Sequence, residues 1–239
     1  MIALAFVATA VSSLFAQATL VRYTDRHRPH QLAWTIALAM FALASAALAT
    51  GTSTGWDNGT FRVFYLFGAV LNVPWLALGT VYLLRGEIVG RRVQRGLVFF
   101  SGLAAGVLLS APMKPVSGLA IPVGKDVFGA FPRVLAAVGS GVGAIVIFVG
   151  AAVSAVRFAR DRQSPGSARL AAGNALIALG TLVLSSGGLV QGLVGHDEAF
   201  ALSLAIGISV VYCGFLVADG VRAGRRRAGT AGSDLAPSN

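Results

Sequence analysis

Apolar residues along this chain run in long unbroken stretches, separated by short segments in which polar residues and arginine concentrate. Seven such stretches stand out, at 2–21, 32–50, 61–84, 97–111, 133–156, 170–191 and 199–218. A helix needs about 20 apolar residues to cross the hydrocarbon of a bilayer. In lipid every backbone N–H and C=O must be satisfied within the structure, so an open strand or loop is excluded and each stretch is expected to be a helix. The expected fold is therefore all-α: a polytopic bundle of seven transmembrane helices over residues 1–219. A tail at 220–239 follows, with the composition of a disordered, basic segment.

The charges supply an orientation. Alternate connections, together with the tail, carry 15 of the 19 basic residues, including Arg22, Arg26, Arg28, Arg85, Arg91, Arg92, Arg95, Arg157, Arg160, Arg162 and Arg169. The other side holds four, Arg62, Lys114, Lys125 and Arg133. Basic residues favour the cytoplasmic side, so the N-terminus is expected outside and the C-terminus in the cytoplasm of a cell membrane. The first stretch resembles a signal peptide in length, with Ala16-Gln17-Ala18 as a mock cleavage site. However, its positive charges follow the apolar run instead of preceding it, so it is expected to stay as the first helix.

Composition agrees. Hydrophobic residues make up 56% of the 239 positions and charged residues only 12%, against about 25% charged in a soluble domain. A net charge of +10 would suit nucleic acid if it lay on one face of a domain. Here it is divided among short inter-helix runs, so no nucleic-acid partner is expected. The expected partners are the bilayer, anionic headgroups at the cytoplasmic loops and at Arg225, Arg226 and Arg227 in the tail, and a small-molecule ligand or a membrane-protein partner. Cys213 is the only cysteine, which excludes an intramolecular disulfide.

The outer connections differ. Residues 51–60 read as a short polar turn. Residues 111–132 hold Pro112, Pro115, Pro122 and Pro132 but also Val116, Leu119, Ile121, Val123, Phe128 and Phe131. A loop that apolar is expected to lie over the mouth of the bundle or to dip into the interface.

Ionisable residues at membrane depth mark proton and ion pathways, and no stretch carries one near its middle. His27, His30 and His196 fall in connections, where they cannot hold a haem between helices, and the last helix has no lysine for a retinal Schiff base. No metal, no cofactor and no enzymatic activity are expected. Small residues at four-residue spacing (Gly102/Gly106, Gly139/Gly143, Gly188/Gly192, Ser203/Gly207) predict close helix packing.

The third stretch carries the candidate site. Phe61, Tyr65, Gly68, Asn72, Trp75, Gly79 and Tyr82 recur every three or four residues, which places them on one face of a regular helix. Asn72 falls near the middle of the span, where its amide needs a partner. Pro74 cannot donate to the carbonyl of Val70 and is expected to break or kink the helix. Two readings stay open. Asn72 is an interhelical hydrogen bond with aromatic packing around it, or Asn72, Tyr65, Trp75, Phe61 and Gly68 line a substrate pocket beside the Pro74 break. The run FRVFYLFGAVLNVPWLALGTVYLL resembles a signature of uncharacterised seven-helix membrane proteins of actinobacteria. That resemblance covers about a tenth of the chain and implies no catalytic residues. Three helices, a linker helix and three more is a layout similar to sugar facilitators with Pro-Gln motifs, although Pro74 here is followed by Trp75. The expected function is a small-molecule transporter or facilitator with a midplane site on the third helix. The alternative is a non-transporting sensor or a scaffold for a partner.

Overall fold

The computed structural model describes the backbone of residues 2–160, 167–194 and 197–233, and their side chains except at 188–194 and 218–233. The chain is all-helical: α1 (Ile2–Arg26), α2 (Pro29–Thr54), α3 (Asn58–Phe64), a π-helical segment (Tyr65–Leu71), α4 (Asn72–Ser110), the short α5 (Gly124–Val127), α6 (Ala130–Arg160), α7 (Ser167–Val194) and α8 (Asp197–Ser233). Among the described residues there is no strand, only an isolated bridge between Met113 and Phe128. Arg225, Arg226 and Arg227, expected at headgroups, and His196 and Arg162 lie outside the described residues or side chains.

Six helical runs are long and apolar enough to cross a membrane. One of them, Asn58–Ser110, has 53 residues. Straight, it would be about 80 Å long at 1.5 Å per residue, far more than the roughly 30 Å of hydrocarbon. It is in fact a hairpin. Gly86 has φ 79° and ψ −178°, a region open essentially to glycine alone, and the chain turns back there. Trp75 Nε1 donates to Ser101 Oγ at 3.1 Å, and Tyr82 Oη bonds Gln94 Oε1. Seven residues down one limb match seven up the other, so 87–110 runs antiparallel to 72–85. The hairpin gives the bundle seven limbs. Residues 85–96, expected as a loop, are helical apart from Gly86. Arginine is a good helix former, and Arg91 pairs with Glu87 one turn away, so the helix continues after the apolar residues stop.

The limbs close into a ring: α1 on α2, α2 on the 58–85 limb, that limb on α6, then α6 on α7, α7 on α8, and α8 back on α1. The second limb of α4 stands outside the ring. Its Val98, Phe99, Leu103 and Leu109 are exposed, and a methyl group on Gly102 or Gly106 would meet no atom of another element within 4 Å. That pair therefore makes no internal packing contact, contrary to its spacing. Antiparallel α7 and α8 do meet at small residues. A methyl group on Gly180 would come within 2.8 Å of the Gly207 carbonyl, and one on Gly214 within 2.7 Å of the Gly173 carbonyl. On α6, Leu135, Gly139, Gly143, Ile147 and Gly150 face inward, while Val138, Val142, Ile145, Val149 and Val153 are exposed on the opposite side. A long helix apolar on both faces suits a membrane and not a water-facing surface.

One end of the ring is covered by residues 111–129. Backbone N–H groups of this lid donate outward, Val116 to Asn58 Oδ1 at 3.1 Å and Ile121 to Asp197 Oδ2 at 2.8 Å. The Trp56 N–H donates to the Gly118 carbonyl at 2.8 Å, and Arg62 Nη2 to the Ala111 carbonyl at 2.9 Å. Ile121, Val127 and Phe128 are buried beneath it. The lid therefore does lie over the mouth of the bundle. Beside it Asp57 caps α3, accepting from the Gly59 and Thr60 N–H groups at 2.7 and 3.1 Å.

Two outcomes follow from these contacts. Gly86→Ala is expected to destabilise the purified protein by roughly 1–3 kcal/mol, read as a lower midpoint in a denaturant titration. Gly96→Ala, in an open helical position, serves as the control and should not lower it. The Asp57 carboxyl is held below its ordinary value, first by the Thr60 hydroxyl and then by the Thr60 and Gly59 N–H groups. A depressed folded value means its contribution is complete above the unfolded value and is lost as pH falls through the folded one. Melting curves of Asp57→Ala should accordingly lie below the parent at pH 7 and converge on it below about pH 4.

Candidate functional site

The site is built around a helix that changes pitch. From Tyr65 to Leu71 the backbone is π-helical, and the Asn72 N–H donates to the Phe67 carbonyl, five residues back. One extra residue in a turn rotates everything after it by about 100° relative to a regular helix. The π segment also shifts the consequence of Pro74. In the four-residue pattern Pro74 leaves the Val70 carbonyl without a donor; in the five-residue pattern it leaves that of Ala69. Helix α6 meets both. The Ser140 hydroxyl donates to the Ala69 carbonyl at 2.6 Å, and Gly139 packs so tightly on Val70 that a methyl group there would lie 2.7 Å from its carbonyl oxygen. Gly143 also sits close to Val73, where a methyl group would be 3.0 Å from the backbone. The Gly139/Gly143 pair thus packs the third limb against α6 at the break itself.

On the other side of the break, toward the centre of the ring, lies a cavity of about 550 Å³. This is within the range of small-molecule pockets. Asn72, Gly68 and Tyr65 line it from the third limb, with Ser45 and Phe41 from α2, Phe200 and Leu204 from α8, Arg133 and Ala137 from α6, and Ile121 to Lys125 from the lid. Asn72 is only 6% exposed, and its Oδ1 finds no hydrogen-bond partner. An interhelical bond, one of the two readings of this residue, is therefore absent from that oxygen. A buried amide oxygen left unpaired costs about 1–3 kcal/mol, and this one is sealed from water-sized space, so it is the rest of the side chain that borders the cavity.

The five residues expected to line a pocket divide. Tyr65, Gly68 and Asn72 are brought together on the cavity. Trp75 is turned away, buried, with its indole N–H on Ser101 of the hairpin's second limb. Phe61 is fully buried above the cavity, stacked on Phe128 of the lid with centroids 5.7 Å apart and tilted against Tyr65 at 5.8 Å. The phase shift of the π segment accounts for Trp75, and the lid for Phe61. Sequence reasoning did not single out Ser45, Arg133, Lys125 or Phe200. Ser45 sits in an alanine-rich helix without a polar stripe, and the two cations read only as part of the outer charge count. Among the described residues no group of three His, Cys, Asp or Glu comes together as a metal site. No family model, curated protein or solved structure matches the chain.

Below Asn72 the cavity is closed. Trp34 of α2 occupies the notch at Gly79 and donates to the Leu76 carbonyl at 3.1 Å, and Leu78 is buried beside it. The cavity therefore reaches from the lid to the middle of the bundle and stops.

The α6 contacts rank by mechanism. Ser140→Ala removes one hydrogen bond and should cost about 1 kcal/mol. Gly139→Ala drives a methyl group into a backbone oxygen and should cost more, roughly 1–3 kcal/mol. Equilibrium unfolding in mixed micelles gives the order; a Gly139→Ala variant more stable than Ser140→Ala would contradict it.

Proposed function

We propose that this chain is a multi-pass protein of the cell membrane, N-terminus outside and C-terminus in the cytoplasm, which binds a small molecule from the outer side and carries it as a transporter or facilitator. The observation that supports the reading is the 550 Å³ cavity with Asn72 in its lining, halfway along the third limb. The arginine-rich ends at Arg26, Arg85 and Arg157 lie opposite the lid, and the bias of basic residues toward the cytoplasm puts the lid outside. A π segment next to a proline is a place where a helix can bend, and bending there would open the Trp34–Gly79 closure below Asn72. The second limb of α4 outside the ring also suits the linker helix of a three-plus-one-plus-three transporter. A sensor that binds without carrying is the second reading, favoured by the several fastenings of the lid to the helices beneath it.

Both parts of the proposal have direct tests in a Cys213→Ser background. In intact cells an impermeant maleimide should label Ser117→Cys in the lid and should reach Val89→Cys, near the Gly86 turn, only after permeabilisation; the reverse pattern overturns the orientation. Native mass spectrometry of the protein in mild detergent should show a bound small molecule that Asn72→Leu loses while remaining folded. Flux of that compound into proteoliposomes separates a carrier from a sensor. An Asn72→Cys thiol inaccessible to small water-soluble reagents from either side, with no bound molecule, would exclude a ligand site.

A further inference from the structure

The cavity has a chemical polarity along its length. Its lid end is lined by Lys125 and Arg133, both exposed, and neither has a carboxylate partner among the described residues. No Asp or Glu lines it. Of the acidic residues near that end, Asp197 is engaged by the Ile121 N–H and Asp57 by its own capping bonds, while Asp126 beside Lys125 and Glu198 at the start of α8 are exposed and lie outside the lining. The walls between are apolar and aromatic, with Phe41, Phe64, Phe200 and Leu204 facing the space. The deep end holds the side-chain amide of Asn72.

The packing of α6 sets the distance between the two ends. Gly143 lies level with Val73, and Gly139 with Val70, so the two helices run parallel and Asn72 is level with about residue 142. Arg133 is then about nine residues nearer the lid, or roughly 13 Å at 1.5 Å per residue.

Resting on the reading of this cavity as a ligand site, we infer that its ligand is an amphiphilic anion. The carboxylate or phosphate sits at Lys125 and Arg133, an apolar body lies along the phenylalanines, and a hydroxyl at the far end hydrogen-bonds the Asn72 amide. Cations at a mouth with low-dielectric walls concentrate anions. A ligand with a hydroxyl at that end is favoured over one with a methyl group there, which would leave the amide facing an apolar tail. A free solute and a membrane lipid could both supply the anionic head, and the test separates them.

Full-length protein with Cys213→Ser and Ser45→Cys is placed in nanodiscs of neutral phosphatidylcholine. The cavity thiol is reacted with an anionic (sulfonatoethyl) or a cationic (trimethylammonioethyl) methanethiosulfonate. Ala137→Cys is the second reporter, should Ser45→Cys not fold. With each rate divided by that reagent's rate with a free thiol in solution, the anionic reagent should react roughly tenfold faster, and this normalised ratio should fall to near one when Lys125→Gln and Arg133→Gln are combined. 10-Hydroxydecanoate should protect the thiol at lower concentration than decanoate, and 1,10-decanediol should protect least. Asn72→Leu should erase the advantage of the hydroxy acid over decanoate and leave the charge preference intact. Protection without added ligand in discs containing phosphatidylglycerol would support the same chemistry with a lipid as its source. Equal normalised rates for the two reagents, or protection by the diol equal to that by the hydroxy acid, would overturn the inference while leaving an accessible cavity. Failure of both reagents at both reporters would overturn the ligand site itself.

Discussion

Pro74 sets the problem that much of this bundle is arranged to solve. A proline in the middle of a membrane helix leaves a carbonyl without its donor where no water is at hand, and such a group costs several kcal/mol in hydrocarbon. The solution has two parts. The π segment moves the unbonded position along the backbone, and α6 presents Gly139, Ser140 and Gly143 to it, one hydroxyl to donate and two missing side chains to let the backbones meet. With α6 held there, the ring closes and its centre is left open beside Asn72. The cavity and the break are thus two sides of one piece of helix.

How much of this could be read from the sequence follows from the kind of signal each feature leaves. Spanning stretches are legible because lipid demands about 20 apolar residues in a row, and that demand overrides local propensity. Helix ends are less legible, because apolarity marks depth and not helicity; the Arg-rich residues after Gly86 continue the helix. Gly102/Gly106 and Gly139/Gly143 have identical spacing, yet one pair is open and the other is packed on a backbone. Spacing shows that a helix could be approached closely and cannot show by what.

The candidate face on the third limb was half legible. Tyr65, Gly68 and Asn72 keep the expected phase, and Trp75 loses it because a π segment has no residue signature that a regular period would reveal. Arg133 and Lys125 were visible only as charges on one side of the membrane. Their place at the cavity depends on the lid folding back over the ring and on the parallel register of α6, both of which are long-range. The lid's apolar residues, by contrast, foretold that it would cover something, since Ile121 and Phe128 have no other way to leave water.

The Gly86 hairpin bears on how the chain enters a membrane in the first place. Residues 97–111 fall short of the length a lone helix needs, and the turns before them carry Arg91, Arg92 and Arg95. Released alone into a bilayer, that limb would be the poorest of the seven. Folded back on its neighbour, it matches Gln94 to Tyr82 and Ser101 to Trp75, so polar groups that would resist lipid are already satisfied. The two limbs are therefore best regarded as one unit, in which each supplies the hydrogen-bonding partners that the other would lack by itself.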